Sequence, residues 1–195
     1  MTFAGAVLCG GRSRRMGQDK ALLRLDGVAM AARVAAALEE AGATAVVGIG
    51  GDADALSELG LRVVPDDHPG GGPLPATITA LERAEAPIVV VLSCDLLAPD
   101  PDVIRALVDV LGEAPPSTAA AIPLAGGVPQ WTHAAWRRSA ADGLAAARAA
   151  GCRSLRGATV GLDCIELDGL NPRHLADADR PDDLPRGSGP ESRAG

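Results

Sequence analysis

Between positions 8 and 20 the chain runs Leu8-Cys9-Gly10-Gly11-Arg12-Ser13-Arg14-Arg15-Met16-Gly17-Gln18-Asp19-Lys20. Two glycines directly after an apolar stretch let the backbone turn sharply and pass close to a ligand, with amide N–H groups turned toward an anion. Arg12, Arg14, Arg15 and Lys20 are set against the single carboxylate of Asp19, a local surplus of three positive charges in a chain of net charge -7. Fixed cations gathered on a glycine turn offset the desolvation of a polyphosphate, which makes this segment a phosphate-binding candidate. A solvated basic loop is the plainer alternative. The spacing is not that of a Walker A loop, because Gly17 is followed by Gln18 and Lys20 by Ala21, and G-x-G-x-x-G is absent.

Carboxylates follow two aliphatic runs. Asp95 comes after Val89-Val90-Val91-Leu92-Ser93-Cys94, and Asp66 and Asp67 come after Val63-Val64-Pro65. A carboxylate at the C-terminal end of a parallel strand can hold Mg²⁺ against phosphate oxygens, with waters completing the octahedron. A helix cap or a turn uses the same residue type at the same place. His68, His133 and His174 form no recognisable triad with a nucleophile. Cys9, Cys94, Cys152 and Cys164 make no C-x-x-C pair, so they are expected to be reduced thiols of a cytoplasmic protein.

These groups have to be positioned by alternating strands and helices. Aliphatic runs at 4–9, 44–49, 61–64, 88–92 and 119–123 predict strands. Helical spacing over 28–41, 53–59, 73–84, 101–111 and 140–150 predicts the helices between them, and 158–167 reads as extended. The pattern predicts an α/β fold with a mostly parallel sheet and helices on both faces. One domain is expected over 1–184, with a Pro-, Gly- and Ser-containing tail at 185–195 predicted to be disordered.

Composition narrows the partners. Net charge -7 argues against a nucleic-acid-binding face, and no apolar run reaches the length that spans a bilayer. Aromatics are 2% of the chain, so the core must be aliphatic and only Trp131 and Trp136 are large enough to stack on a base. Both are expected as core or covering residues.

The run L-C-G-G-R-S-R-R-M-G-Q-D-K-A-L resembles the signature of small Rossmann-like nucleotidyltransferases, usually written L-A-G-G-x-S-x-R-M-G-x-D-K-A-L. Its double glycine and Asp-Lys-Ala ending are most similar to the molybdenum cofactor guanylyltransferase family. Related cytidylyltransferases and sugar-nucleotide enzymes more often carry Ala-Gly and lack the Asp. Cys9 departs from the pattern as a small apolar substitute for Ala.

The resemblance covers about residues 4–100 well and the rest loosely. It implies a nucleotide-binding half at 1–100 and an acceptor-binding half at 101–184. It implies Lys20, Arg15 and Asp95 as catalytic residues, and Leu8, Cys9, Gly10, Gly11, Lys20, Gly48, Asp66 and Asp95 as nucleotide-binding. Asp66 is the family's counterpart by its spacing from Lys20, with Asp67 the competing choice. Gly48 stands where the family often has Asn and offers only backbone. Asp95 is the implied Mg²⁺ ligand. In Leu175-Ala176-Asp177-Ala178-Asp179-Arg180-Pro181, which resembles the N-x-N-T-P closure, Asp177 or Asp179 is a candidate second metal contact, and a helix cap is the alternative. The Gly70-Gly71-Gly72-Pro73-Leu74 stretch resembles G-P-L-A-G, and Gly151 to Arg156 resembles a basic segment that meets the acceptor's phosphate. Gly127-Val128-Pro129-Gln130 partly resembles R-x-x-Q-P-L but lacks its Arg.

The implied reaction is transfer of GMP from GTP to the terminal phosphate of molybdopterin, with Mg²⁺ as cofactor and molybdoenzymes or their chaperones as recipients. A cytidylyltransferase, or an enzyme for another phosphorylated acceptor, is the near alternative. A non-catalytic nucleotide-binding regulator is the alternative of a different class, and the joint presence of Lys20 and Asp95 disfavours it.

Overall fold

The computed structural model describes residues 1–10 and 19–178. In chain order the elements are β1 (Phe3–Leu8), β2 (Arg24–Leu25), β3 (Val28–Ala29), α1 (Met30–Glu40), β4 (Val46–Ile49), α2 (Ala53–Glu58), β5 (Arg62–Val64), α3 (Pro73–Arg83) and β6 (Ile88–Ser93). They continue as α4 (Pro101–Glu113), β7 (Thr118–Ala125), β8 (Val128–Pro129), β9 (His133–Arg137), α5 (Ala140–Ala149), α6 (Leu155–Ala158) and β10 (Asp163–Leu167). Single 3-10 turns occupy Lys20–Leu22 and Pro172–Leu175.

The main sheet has the order β10-β7-β9-β6-β1-β4-β5, with β8 paired to β7 as a hairpin. Every neighbouring pair along that order is parallel except those of β9, which runs antiparallel to both β6 and β7. The chain moves outward from β1 through β4 to β5 and then crosses back to lay β6 on the other side of β1. This reversal opens a crevice beyond the C-terminal ends of β1 and β6, where ligands of open α/β sheets bind.

Period-two alternation explains why β6 reads as one unbroken aliphatic run. Ile88, Val90 and Leu92 enter the layer shared with α1 and α4, whereas Val89 and Val91 enter the layer shared with α3 and α5. A strand buried on both faces has no polar side to present. Helix α4 shows the complementary logic: Ile104, Leu107, Val108 and Leu111 line one face. Asp100 begins the helix by accepting from the amides of Asp102 at 2.8 Å and Val103 at 3.4 Å, a cap that contributes about 1 kcal/mol. Trp136 is fully buried in the second layer and Trp131 packs on its edge, so both tryptophans are core or covering residues.

Three local features differ from the pattern-based expectation. The helix expected from position 28 starts at Met30, because Val28 and Ala29 pair with Leu25 and Arg24 around Asp26-Gly27. Asp26 at φ 51° and Gly27 at φ 79° make the two-residue turn that such hairpins require. Of the stretch expected to be extended over 158–167, Asp163–Leu167 forms β10, while Ala158 ends α6 and a turn lies between them. Strand β9 was not anticipated, since His-Ala-Ala-Trp-Arg carries almost no intrinsic β signal. Tertiary contacts create it: Ala134, Ala135 and Trp136 are inaccessible to solvent between β6 and β7. At its end, the Arg137 guanidinium donates to the carbonyls of Leu111 at 2.7 Å and Ala114 at 2.9 Å, satisfying the C-terminus of α4.

Among the described residues no helix is long and apolar enough to cross a membrane. The expected tail at 185–195 lies outside the described residues.

Candidate active site

Strand β1 delivers Leu8, Cys9 and Gly10 to the crevice. The amides of Cys9 and Gly10 both donate to the Ile49 carbonyl at 3.0 Å. These two N–H groups are therefore committed to the sheet, and their residues serve the site as a close-fitting wall. Gly11, Arg12, Arg14 and Arg15 lie outside the described residues.

The chain re-enters the site at Asp19. Its carboxylate accepts from the Ala21 amide at 3.0 Å, capping the 3-10 turn that carries Lys20, and the fully buried Ala21 anchors that turn. The Asp-Lys-Ala sequence thus has a local structural meaning: cap, functional cation, anchor. Lys20 Nζ lies 2.7 Å from Asp95 Oδ2. Asp95 is reached from the end of β6, where the Ser93 hydroxyl donates to the other carboxylate oxygen, Asp95 Oδ1. The carboxylate stands at the crevice with both oxygens directed.

Two cavities open around this pair. The first, of about 320 Å³, is bordered by Gly10, Asp19, Lys20, Asp95 and the start of α3 at Gly72 and Pro73. The N-terminus of an 11-residue helix thereby points its positive end into the cavity that holds Lys20. The second, of about 380 Å³, is bordered by Gly10, Asp19, Gly50, Gly51, Asp66 and Gly70. Gly10 and Asp19 line both, so the two form adjoining halves of one site.

The structure separates the two aspartates that follow β5. Asp66 borders the second cavity and accepts from the His68 amide at 2.9 Å. Asp67 lies 3.5 Å from Arg83 at the surface. Gly48 sits inside β4, packed against Leu61 and Cys9, and does not border the cavity. Gly50 and Gly51, not singled out from sequence, follow β4 directly and do border it. Gly51 adopts φ +84°, and a Cβ there would lie 2.9 Å from Leu56 Cδ1 and 3.0 Å from Cys9 Cβ, so only glycine fits.

The two cysteines beside the site are inert thiols. Burial, with Asp19 adding to it, pushes Cys9 up to about 12. Burial also raises Cys94 well above its ordinary value, with Cys9, Asp95 and Asp19 adding to the effect and Lys20 opposing it. Neither can supply a thiolate near neutral pH.

Asp177, a candidate second metal contact, has its Oδ1 3.0 Å from Nε2 of the fully buried His133 and does not border either cavity. Asp179 lies outside the described residues. Among the described residues no group of three or more His, Cys, Asp or Glu is arranged to hold a metal. A hard divalent cation that takes one carboxylate, substrate phosphates and waters needs no such cluster, and Asp95 meets that requirement.

Arg148 and Arg153 border a further cavity of about 500 Å³ with Gly70, Gly71, Leu74 and Pro75. Gly70 is shared with the Asp66 cavity, so the glycine loop is the partition between them. Arg156 does not border it.

The profile of the MobA-like NTP transferase domain matches residues 5–162. A molybdenum cofactor guanylyltransferase of Burkholderia vietnamiensis is 36% identical over 164 residues, covering 80% of each chain. A relative from Pelotomaculum thermopropionicum, titled "Probable molybdenum cofactor guanylyltransferase", is 44% identical over 105 residues; there this chain spans about half (51%) of the relative's length. The crystal structure of molybdopterin-guanine dinucleotide biosynthesis protein A from Archaeoglobus fulgidus superposes with a TM-score of 0.73 at 24% identity, covering 93% of this chain and 94% of that one.

Proposed function

This chain belongs to the MobA-like NTP transferase family, and from that membership we propose that it transfers GMP from GTP to the terminal phosphate of molybdopterin. A phosphate oxygen of the acceptor forms a bond to the α-phosphorus of GTP. The bond from that phosphorus to the bridging oxygen of the β-phosphate breaks, and pyrophosphate leaves with the electron pair. A phosphate monoester has its second pKa near about 6, so the attacking oxygen is already anionic at neutral pH and no general base is required. Among the described residues no histidine borders the crevice, which suits this chemistry.

The observation that carries the proposal is the Lys20–Asp95 pair at 2.7 Å in the crevice between β1 and β6. We assign Lys20, together with Arg15, to the charge on the triphosphate, and Asp95 to a divalent cation, Mg²⁺. Bound there, Mg²⁺ supplies neutralisation of phosphate charge in the transition state. Leu8, Cys9, Gly10 and Gly11 wall the nucleotide, and Asp66 holds it from the adjoining cavity. The N-terminus of α3 adds a fixed positive dipole end. Residues 1–100 bind the nucleotide and 101–184 receive the acceptor, whose anionic tail is assigned to Arg148 and Arg153. The product passes to molybdoenzymes or their chaperones. We assign the reaction to the cytoplasm, an assignment that free cysteines suit.

Pyrophosphate release from GTP, CTP or ATP with Mg²⁺ and molybdopterin tests the proposal. Release that requires both GTP and molybdopterin is expected. Preference for CTP would overturn the guanine assignment, and nucleotide binding without release would favour a regulator.

A further inference from the structure

His133 is inaccessible to solvent and borders neither cavity of the candidate active site, so the chemistry above makes no use of it. It opens β9 opposite Leu92 of β6, whose chain continues through Ser93 and Cys94 to Asp95. Its Nε2 lies 3.0 Å from Asp177 Oδ1. Neither ring nitrogen has a hydrogen bond within the described residues, and Asp177 Oδ1 has none either. The contact thus brings together a fully buried imidazole and the buried oxygen of an Asp177 side chain that is 27% exposed.

The backbone on either side of Asp177 is tied to the Asp95 loop. Asp177 forms an antiparallel bridge with Leu96. The Ala178 amide donates to the Asp95 carbonyl at 2.9 Å, and the Leu97 amide donates to the Ala176 carbonyl at 2.9 Å. His174 extends the strap, with Nδ1 3.1 Å from the Ala98 carbonyl and Nε2 3.3 Å from Asp100 Oδ2. Residues 174–178 therefore run along 95–100, and the His133–Asp177 contact lies between that strap and the first residue of β9.

We infer that His133 and Asp177 are positioning residues: their contact holds the strap against the Asp95 loop and so fixes where the Asp95 carboxylate stands. Two backbone hydrogen bonds form a short ladder, and a side-chain contact beside them adds to what holds it in place. Leu175 and Ala178, both buried, also anchor it, and the Ala178 amide holds the Asp95 carbonyl. The inference rests on the assignment of Asp95 to the divalent cation made above.

The test is the Mg²⁺ concentration for half-maximal pyrophosphate release, with the KM for GTP measured alongside. His133→Ala and Asp177→Ala are each expected to raise the Mg²⁺ requirement about tenfold with little change in the KM for GTP. The double variant is expected to be no worse than the worse single variant, since both remove one contact. Asp177→Asn, which keeps the oxygen, restores most of the lost affinity. An unchanged Mg²⁺ requirement in His133→Ala, or additive effects, would overturn the inference. So would an effect confined to Asp177→Ala, which would mean that Asp177 acts on the metal directly. Native-state hydrogen exchange gives a readout independent of turnover: amide protection at Leu97 and Ala178 should fall about tenfold in His133→Gln while that of β6 holds. If the wild-type chain fails to turn over GTP, the proposed function falls and exchange alone still decides whether the strap is fastened by His133.

Discussion

Lys20 and Asp95 are separated by 75 positions and meet at 2.7 Å, one carried by a capped 3-10 turn and the other by the end of the central strand β6. Opposite charges placed at the mouth of the sheet, each partly shielded from water, are poised for a ligand that carries both phosphate and a divalent cation.

Replacing either partner should stop catalysis without unfolding the chain. Lys20→Ala and Asp95→Asn are each expected to lower the rate of pyrophosphate release by about 100-fold or more, because both groups are assigned to charge that develops in the transition state. Circular dichroism of the variants should overlay that of the wild type. Wild-type rates in either variant would refute the assigned roles.

Ser93 directs Asp95 through its hydroxyl and itself borders the cavity that holds Lys20 and Asp95. Ser93→Ala should cost about tenfold in rate, and Ser93→Thr, which retains the hydroxyl, should recover most of it. Titrating Mg²⁺ against rate in the two variants checks this.

The two aspartates after β5 should behave differently. Asp66 borders the cavity next to Gly10, whereas Asp67 faces Arg83 at the surface. Asp66→Ala should raise the KM for GTP about tenfold, a loss of roughly 1.4 kcal/mol in binding. Asp67→Ala should leave it unchanged. Steady-state kinetics on the pair separates the two assignments.

Cys9 makes stability fall with alkaline pH. Its thiol is raised from an ordinary 9.0 to about 12 in the folded chain, so between those values the folded state holds a proton that the unfolded state has lost. The contribution is complete below pH about 9 and is lost as pH rises toward about 12, at up to about 1.4 kcal/mol per pH unit. Cys94, raised in the same direction chiefly by burial, adds to the slope. Urea unfolding between pH 8 and pH 11, values of about this range being set by the linkage relation, should show a shallower alkaline decline in Cys9→Ala.

The alternation of strands and helices, the placement of Lys20 after Asp19, and Asp95 after an all-aliphatic strand were all legible in the chain itself. Their causes are local: side-chain periodicity and capping by a short acidic side chain. The Asp-Gly hairpin at 26–27 is equally local, but the helical pattern beyond it masks its signal. Other features depended on contacts between distant segments. Only the assembled sheet makes a strand of His133–Arg137, because its pairing with β6 and β7 outweighs the weak preference of its alanines. Only the fold turns Asp66 inward and Asp67 outward, spends the Cys9 and Gly10 amides on Ile49, and sets Asp177 against His133. Residue type and spacing declare which groups are available for chemistry, whereas their direction follows from packing between segments that no local pattern encodes.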